Sequence, residues 1–428
     1  MPKFKGVKII AVLCLVAFLF CGCNSFRLSS SIDDLISPIS PSGDNAGVQS
    51  AVDEYCKSGY SIKIPATGNY TTSFILKDID GDKINEAVAF YEPSNKVGTI
   101  SMAVIKKSGE RWSVIANVDG TATDVNSVDF CDFNNDGKME IIVCWSVVSK
   151  QTGTSINVYS QNENDNKYSL KSVSKAITGS NFICVDANDD GVMELLVFAT
   201  GTSSENPRAE LYSFGTGKRE LIGETRLDST ITSFESIKYA DALCADGSSM
   251  VTEFIYWSDY YNSIISPFYS YSTGRTKETL RSSQVTCRDI DDDGYIEIPE
   301  DTSSKKQSSE ITSQNWVNYG NTVLSHKCYS FSCKRDGYIL VIDDDDFSKV
   351  KANYDSESRK LTIIDKKNKS NVFEIVTLIN SNYSVNDPKY KDYTMIMKNS
   401  GFVYLAKVNK SSDIDINIQT LKDMIKVY

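Results

Sequence analysis

The stretch DFNNDGKMEIIV, Asp132 to Val143, sets an oxygen-bearing side chain at every second position, then a glycine, then a glutamate heading an apolar run. Related stretches begin at Asp78 (DIDGDKINEAVAF), Asp186 (DANDDGVMELLVF) and Asp289 (DIDDDGYIEI). Their starts lie 54, 54 and 103 residues apart, so the last gap is nearly two periods. A fixed period of this size marks a repeat architecture, in which each unit buries its apolar face against the next. The missing member is expected near residue 240, where TEFIYW resembles the MEIIVCW around Glu140. Aligned on Glu253, its positions 1, 3 and 5 become Ala245, Gly247 and Ser249, which describes a repeat that keeps its strands and has lost its ion.

Oxygens at positions 1, 3, 5 and 9 suit a hard cation. Calcium takes roughly six to eight oxygen ligands, and alternate side chains with one carbonyl can wrap it. Asp, Asn and Gly are also ordinary turn residues, so one such loop would say little. Four on one register say more. A helix–loop–helix calcium hand needs its bidentate glutamate at position 12, whereas Glu86, Glu140, Glu194 and Glu297 stand at position 9 and open strand-like runs. Between the loops lie alternating apolar and β-branched segments such as TISMAVI (99–105), RWSVIANV (111–118) and SINVYS (155–160). These read as strands. Four per period, with the acidic loop joining the first to the second, is the content of a propeller blade. The expected fold is therefore mainly β: a β-propeller of about five four-stranded blades, one degenerate, followed by a small α+β C-terminal domain.

With its D-x-[DN]-x-D-G-x-x-[DE] loops, the chain resembles FG-GAP and VCBS repeat proteins, including the calcium-binding propellers of integrin α-chains. More narrowly, YSIKIPATGNYTTSFILKDIDGD (60–82) is similar to the lead-in of repeat lipoproteins from anaerobic Firmicutes. The resemblance implies Ca²⁺ held by a propeller on an exported protein, and it implies no established activity. By position, the metal sets would be Asp78, Asp80, Asp82 and Glu86; Asp132, Asn134, Asp136 and Glu140; Asp186, Asn188, Asp190 and Glu194; and Asp289, Asp291, Asp293 and Glu297. The first departs from the pattern, with Lys83 where the others carry Gly137, Gly191 and Gly294.

The N-terminus is basic (MPKFKGVK), then apolar for 12 residues (IIAVLCLVAFLF), then CGC. That layout is a secretory signal, too short for a spanning helix. The Gly22-Cys23 junction resembles a bacterial lipobox, with Phe20 replacing the usual Leu. Lipidation of Cys23 would anchor the chain to the outer face of the cytoplasmic membrane, at the bacterial cell surface. Residues 1–22 carry Lys3, Lys5 and Lys8 and no acid, so the mature charge would fall from −11 to −14. Such a surface repels nucleic acid, whose binding rests on Lys and Arg contacts to phosphate. Nucleic acid is not an expected partner.

The segments expected along the chain are a signal peptide (1–22), a Ser- and Pro-bearing tether (23–46), a short helix (47–59), the propeller (60–332) and the α+β domain (333–428). Eight cysteines remain besides Cys23 in the mature part. Cys184 and Cys287 occupy positions taken by Leu76 and Phe130 in other repeats, as small buried hydrophobes do. Cys328 and Cys333 are the candidates for a disulfide.

Catalytic signals are sparse. There is one histidine, His326, and neither a phosphate-cradling nor a dinucleotide motif. Asp343 to Asp346 reads as a solvated loop. The degenerate repeat instead gathers aromatics, Tyr256, Trp257, Tyr260 and Tyr261 foremost, which could stack on sugars or anchor a protein partner. The favoured expectation is a lipid-anchored, calcium-stabilised propeller that binds a glycan or protein at the cell surface without catalysis. A carbohydrate-active or other hydrolytic enzyme on the same scaffold and a purely structural envelope protein are the alternatives.

Overall fold

A computed structural model describes residues 43–147, 153–164, 167–201, 205–236, 240–302, 310–320, 323–382, 387–409 and 414–427. The expected signal peptide, Cys23 and nearly all of the expected tether lie outside them. Two compact units are distinguished, Met1–Ser50 and Ala51–Tyr428. The expected helix at 47–59 runs instead over Asp44–Tyr55, and the chain re-enters extended structure at Tyr60–Lys63.

The chain is mainly β, built from antiparallel sheets. The first three repeats each make one sheet by simple up-and-down pairing. In the second, Asp124–Cys131, Glu140–Ser146, Gly153–Asn164 and Lys167–Ser172 are neighbours in that order. In the third, Asn181–Val185, Glu194–Ala199, Arg208–Ser213 and Glu220–Arg226 follow the same order. The first adds a twist: Tyr60–Lys63 and Ile75–Lys77 both pair with Glu86–Pro93, along different parts of it, before Ser101–Ser108 and Arg111–Asp119 complete the sheet. The strand opened by the position-9 glutamate is wholly buried in the second and third sheets (EIIVCWS and ELLVFA). A continuous apolar run of this length belongs to a strand covered on both faces. The last strand of the third sheet, ELIGETR, alternates exposed and buried, as an outer strand should.

Successive sheets share cores. Phe90 and Met102 of the first meet Phe130 and Trp145 of the second. Ile142 and Ile156 of the second meet Leu195 and Val197 of the third. The approach is close enough to require a glycine, since a Cβ at Gly120 would lie 2.5 Å from the Trp145 ring.

The fourth repeat corrects the sequence alignment. Each regular repeat pairs the residue before the acidic loop with the position-9 glutamate: Lys77 with Glu86, Cys131 with Glu140, Val185 with Glu194, and Arg288 with Glu297. The fourth pairs Ser236 with Asp241. Asp241, rather than Glu253, is thus the register counterpart. Nor are the strands kept as expected. Ile231–Ser236, Asp241–Cys244 and Met250–Thr252 form a three-stranded sheet, and the aromatic segment makes two separate small hairpins, Tyr256–Ser258 with Ser263–Ile265 and Tyr269–Ser270 with Arg275–Thr276. The turn at 245–249 is a local one, closed by Asp246 accepting from the Ser248 and Ser249 amides at 2.8 and 2.7 Å.

Beyond the last acidic loop, Ile298–Asp301, Thr312–Gly320, Val323–Cys333, Tyr338–Ile342 and Ile425–Val427 form one sheet. It runs across the boundary expected at 332/333, so the two segments share a sheet there. The final strands, Val350–Asp355, Lys360–Asp365, Asn371–Ile379, Phe402–Val408 and Thr394–Lys398, form a second sheet that packs with Ile418–Met424 over a common core. All eight described cysteines are free. Cys328 and Cys333 lie five residues apart on one extended strand, about 16 Å at the usual rise, too far for a disulfide.

Candidate metal centres

One hydrogen-bond frame recurs in all four acidic loops. The position-9 glutamate turns Oε2 back to accept from the position-2 amide: Ile79 to Glu86 at 3.1 Å, Phe133 to Glu140 at 3.1 Å, Ala187 to Glu194 at 2.9 Å, Ile290 to Glu297 at 3.0 Å. The position-1 aspartate accepts from the position-6 amide through Oδ2, at 2.8 to 2.9 Å in each loop. The position-5 aspartate accepts from the position-7 amide, also at 2.8 to 2.9 Å. Position 2 anchors the loop from below, with Ile79, Phe133 and Ile290 fully buried.

The frame needs left-handed backbone at positions 4 and 6. Asn135, Asp189 and Asp292 hold position 4 with φ of 55°, 56° and 62°, and Gly137, Gly191 and Gly294 hold position 6. Asn and Asp tolerate that region best among non-glycine residues. The first loop exchanges the assignments, with Gly81 at position 4 (φ 79°) and Lys83 at position 6 (φ 69°). The departure seen in the sequence is therefore a displaced glycine within the same backbone path.

The carboxylate oxygens of Asp78, Asp80 and Glu86 lie within 4.8 Å of one another, as do those of Asp289, Asp291 and Glu297. Burial raises the pKa of all four position-9 glutamates, opposed by the bond from the loop amide. Oε1 of Glu297 is buried and has no hydrogen-bond partner among the described residues. A buried acceptor left over in an acid-lined loop is what a cation ligand looks like without its ion.

Two lysines, missed by reading the loops alone, enter this chemistry. Lys106 places Nζ on Asp80, 2.9 Å from Asp82 Oδ2 and 3.2 Å from Glu86 Oε1. Lys327 sits 3.1 Å from Asp291 and 2.5 Å from Asp293. Asp82 and Asp293 are held below the usual carboxylate range chiefly by these lysines. Among the described residues no lysine or arginine pairs with the acids of the loops at 132–140 and 186–194. There Asn134 and Asn188 donate to Asp136 and Asp190 at 3.2 and 3.1 Å.

Neighbouring loops touch. The Met139 amide donates to the Ile79 carbonyl at 2.8 Å, and Asn135 Nδ2 donates to the Gly191 carbonyl at 3.1 Å. The fourth repeat carries a buried ion pair at the counterpart position: Arg281 bonds Asp241 at 2.7 Å, and the aspartate also accepts from the Cys287 amide and thiol and from the Thr252 hydroxyl. The shift to Asp241 left a signal in the sequence, since the 54-residue step from Glu194 falls on Ser248 and not on a glutamate.

The aromatic segment divides. Phe254, Tyr256, Phe268 and Tyr319 pack on one another with ring centroids 4.5 to 6.3 Å apart. Trp257 is half-buried and donates to Asp259 at 3.2 Å. Tyr260 and Tyr261, at the tip of the first hairpin, are 88% and 65% exposed. His326 bonds Asn315 and lies 2.8 Å from Asp344, whose neighbours form a short helix, Asp344–Phe347, where a loop was expected.

No family model matches the chain, and no curated protein matches it. Two crystal structures of Sqt1 from Chaetomium thermophilum are similar to it. One is 10% identical over 74% of this chain and 84% of that one, the other 9% identical over 82% and 98%, each with a TM-score of 0.33. Likeness at that level carries no weight beside the strand pairing itself.

Proposed function

We propose that the chain is a calcium-stabilised β-propeller of about five blades, exported and lipid-anchored through Cys23, that binds a glycan or protein at the cell surface. The observation that carries the calcium reading is the hydrogen-bond frame shared by four loops 54 or about twice 54 residues apart. In the loops at 78–86 and 289–297 the carboxylate oxygens of positions 1, 3 and 9 lie within 4.8 Å of one another, with an unpartnered Glu297 Oε1 in the second. The donor set is all oxygen, which suits Ca²⁺ and disfavours softer metals. Asp78, Asp80, Asp82 and Glu86, Asp132, Asn134, Asp136 and Glu140, Asp186, Asn188, Asp190 and Glu194, and Asp289, Asp291, Asp293 and Glu297 would hold it. The ion supplies positive charge that clustered carboxylates otherwise lack, which ties binding to folding.

The ligand-binding part rests on Tyr260 and Tyr261, which project from an insertion instead of filling a core. Thermal unfolding with excess calcium, magnesium or chelator tests the first part: a calcium-specific rise of many degrees is expected, and no difference among the three would refute it. A glycan array and a cell-surface protein screen, both run in calcium, test the second.

A further inference from the structure

The four loops differ in charge in a compensated way. Those at 78–86 and 289–297 carry four carboxylates each at positions 1, 3, 5 and 9, and those at 132–140 and 186–194 carry three and an asparagine. The extra acid is at position 3, Asp80 or Asp291, and both of these bind a lysine. With the ammonium counted, the four groups at positions 1, 3, 5 and 9 carry −3 in every loop, although Lys83, Lys138, Asp189 and Asp292 make the charges of the whole loops unequal.

The two lysines arrive by different routes. Ala87 pairs with Ile105, so one step along the register Lys106 stands beside Glu86; the same step sets Ser160 beside Glu140 and Ser213 beside Glu194. Lys327 comes from Val323–Cys333, two strands removed from Ile298–Asp301. Two unrelated positions thus deliver one charge to the two loops that have an acid to spare. In the first loop the ammonium bonds oxygens of positions 3 and 5 and lies 3.2 Å from Glu86 Oε1 of position 9, the same groups a cation would use.

We propose that Lys106 and Lys327 are built-in counter-cations that divide the loops into two classes. The loops at 132–140 and 186–194 depend on an outside divalent cation. Those at 78–86 and 289–297 are partly neutralised by the protein itself and take calcium only when the ammonium leaves. This inference rests on the calcium reading above. Affinity in such loops rises with ligand charge, so the four-carboxylate loops would be the tighter pair without their lysines. The lysines reverse that order.

Calorimetric titration of the chelator-treated protein with CaCl₂ tests this. The unmodified protein is expected to show two tight sites and two at least tenfold weaker. Lys106→Met and Lys327→Met should each convert one weak site to a site tighter than the original pair, while Lys106→Arg, which keeps the charge, should leave the weak class intact. Four equivalent sites in the unmodified protein, or affinities unmoved in the Met variants, would overturn the inference and leave the calcium reading standing. Absence of calcium binding in the unmodified protein and in every variant would overturn both. Should a Met variant fail to fold, the stoichiometry of the unmodified protein and the Lys106→Arg result still decide.

Discussion

Arg281 donates from Nη2 to Asp241 Oδ1 at 2.7 Å, and both side chains are fully buried. The guanidinium also donates to the Val285 carbonyl at 2.6 Å, the Thr252 hydroxyl at 2.9 Å and the Thr279 carbonyl at 3.0 Å. Desolvating two charges is costly, and the pair is tolerated because nearly every lone pair and proton is used. Arg281→Met strands Asp241 without its countercharge. We expect it to lower stability by about 3–5 kcal/mol, read as a shift in urea midpoint at constant slope. A double variant, Arg281→Met with Asp241→Asn, should recover part of that loss. A single variant within about 0.5 kcal/mol of the parent, the range of ordinary surface changes, would show that the pair is not holding the fourth repeat.

Lys83 occupies the left-handed position that glycine fills in the other loops. For a residue with a Cβ this region costs about 1–2 kcal/mol, and glycine returns about 0.5–1 kcal/mol through greater freedom of the unfolded chain. Lys83→Gly should therefore stabilise by about 0.5 kcal/mol, the difference between those terms, and Lys83→Ala should not stabilise at all. The opposite change is severe at Gly81, where a Cβ would come within 2.4 Å of the Gly137 carbonyl. Gly81→Ala should cost about 1–3 kcal/mol and loosen the contact between the first two loops. Equal stabilities for Gly and Ala at position 83 would contradict the strain argument.

Tyr260 and Tyr261 pack edge-to-face at 4.9 Å on a hairpin tip, largely in solvent. Replacing both with alanine should change stability by less than about 0.5 kcal/mol, since little area is uncovered. Any ligand found by the screens above should lose at least tenfold in affinity to this variant. A stable variant that binds unchanged would move the search to another face.

The acidic loops were legible because backbone and side chains there obey one local rule: alternating oxygens, a turn, and a glutamate heading a buried strand. Glu86, Glu140 and Glu194 open strands in the structure, and Glu297 directly precedes one. What escaped is non-local. Lys106 and Lys327 reach their loops through strand pairing, and nothing in KKSGE or HKCYS marks either lysine. The fourth repeat misled for a related reason. TEFIYW mimics a loop-to-strand junction, yet Glu253 accepts from the Asp228 amide and from the Ser266 and Thr276 hydroxyls, a network assembled from residues up to 25 positions away from it. The pairing of Tyr338–Ile342 with Ile425–Val427 was hidden likewise, its partners, such as Tyr338 and Val427, standing far apart in sequence.

That network makes Glu253 a pH-dependent group. Burial, opposed by the bond from the Asp228 amide and the two hydroxyl bonds, pushes its carboxyl up to about 7. The folded state therefore holds the proton more tightly than the unfolded chain, where a glutamate titrates at roughly 4.5. Below about pH 4.5 both states are protonated and the carboxyl carries no penalty. As pH rises from there through about 7, the unfolded chain ionises more readily, and folding stability falls. The span of about 2.5 units corresponds to about 3 kcal/mol. Glu253→Gln cannot ionise, and its amide can still accept from the Asp228 amide and donate to the Ser266 oxygen. Unfolding free energies measured at pH 5, 6, 7 and 8 should fall more steeply for the parent than for the variant, with the difference between them levelling off above about pH 7. The other carboxylates titrate in both proteins and cancel from that difference. Parallel profiles would mean that Glu253 ionises normally in the fold, and that its hydroxyl and amide partners outweigh its burial.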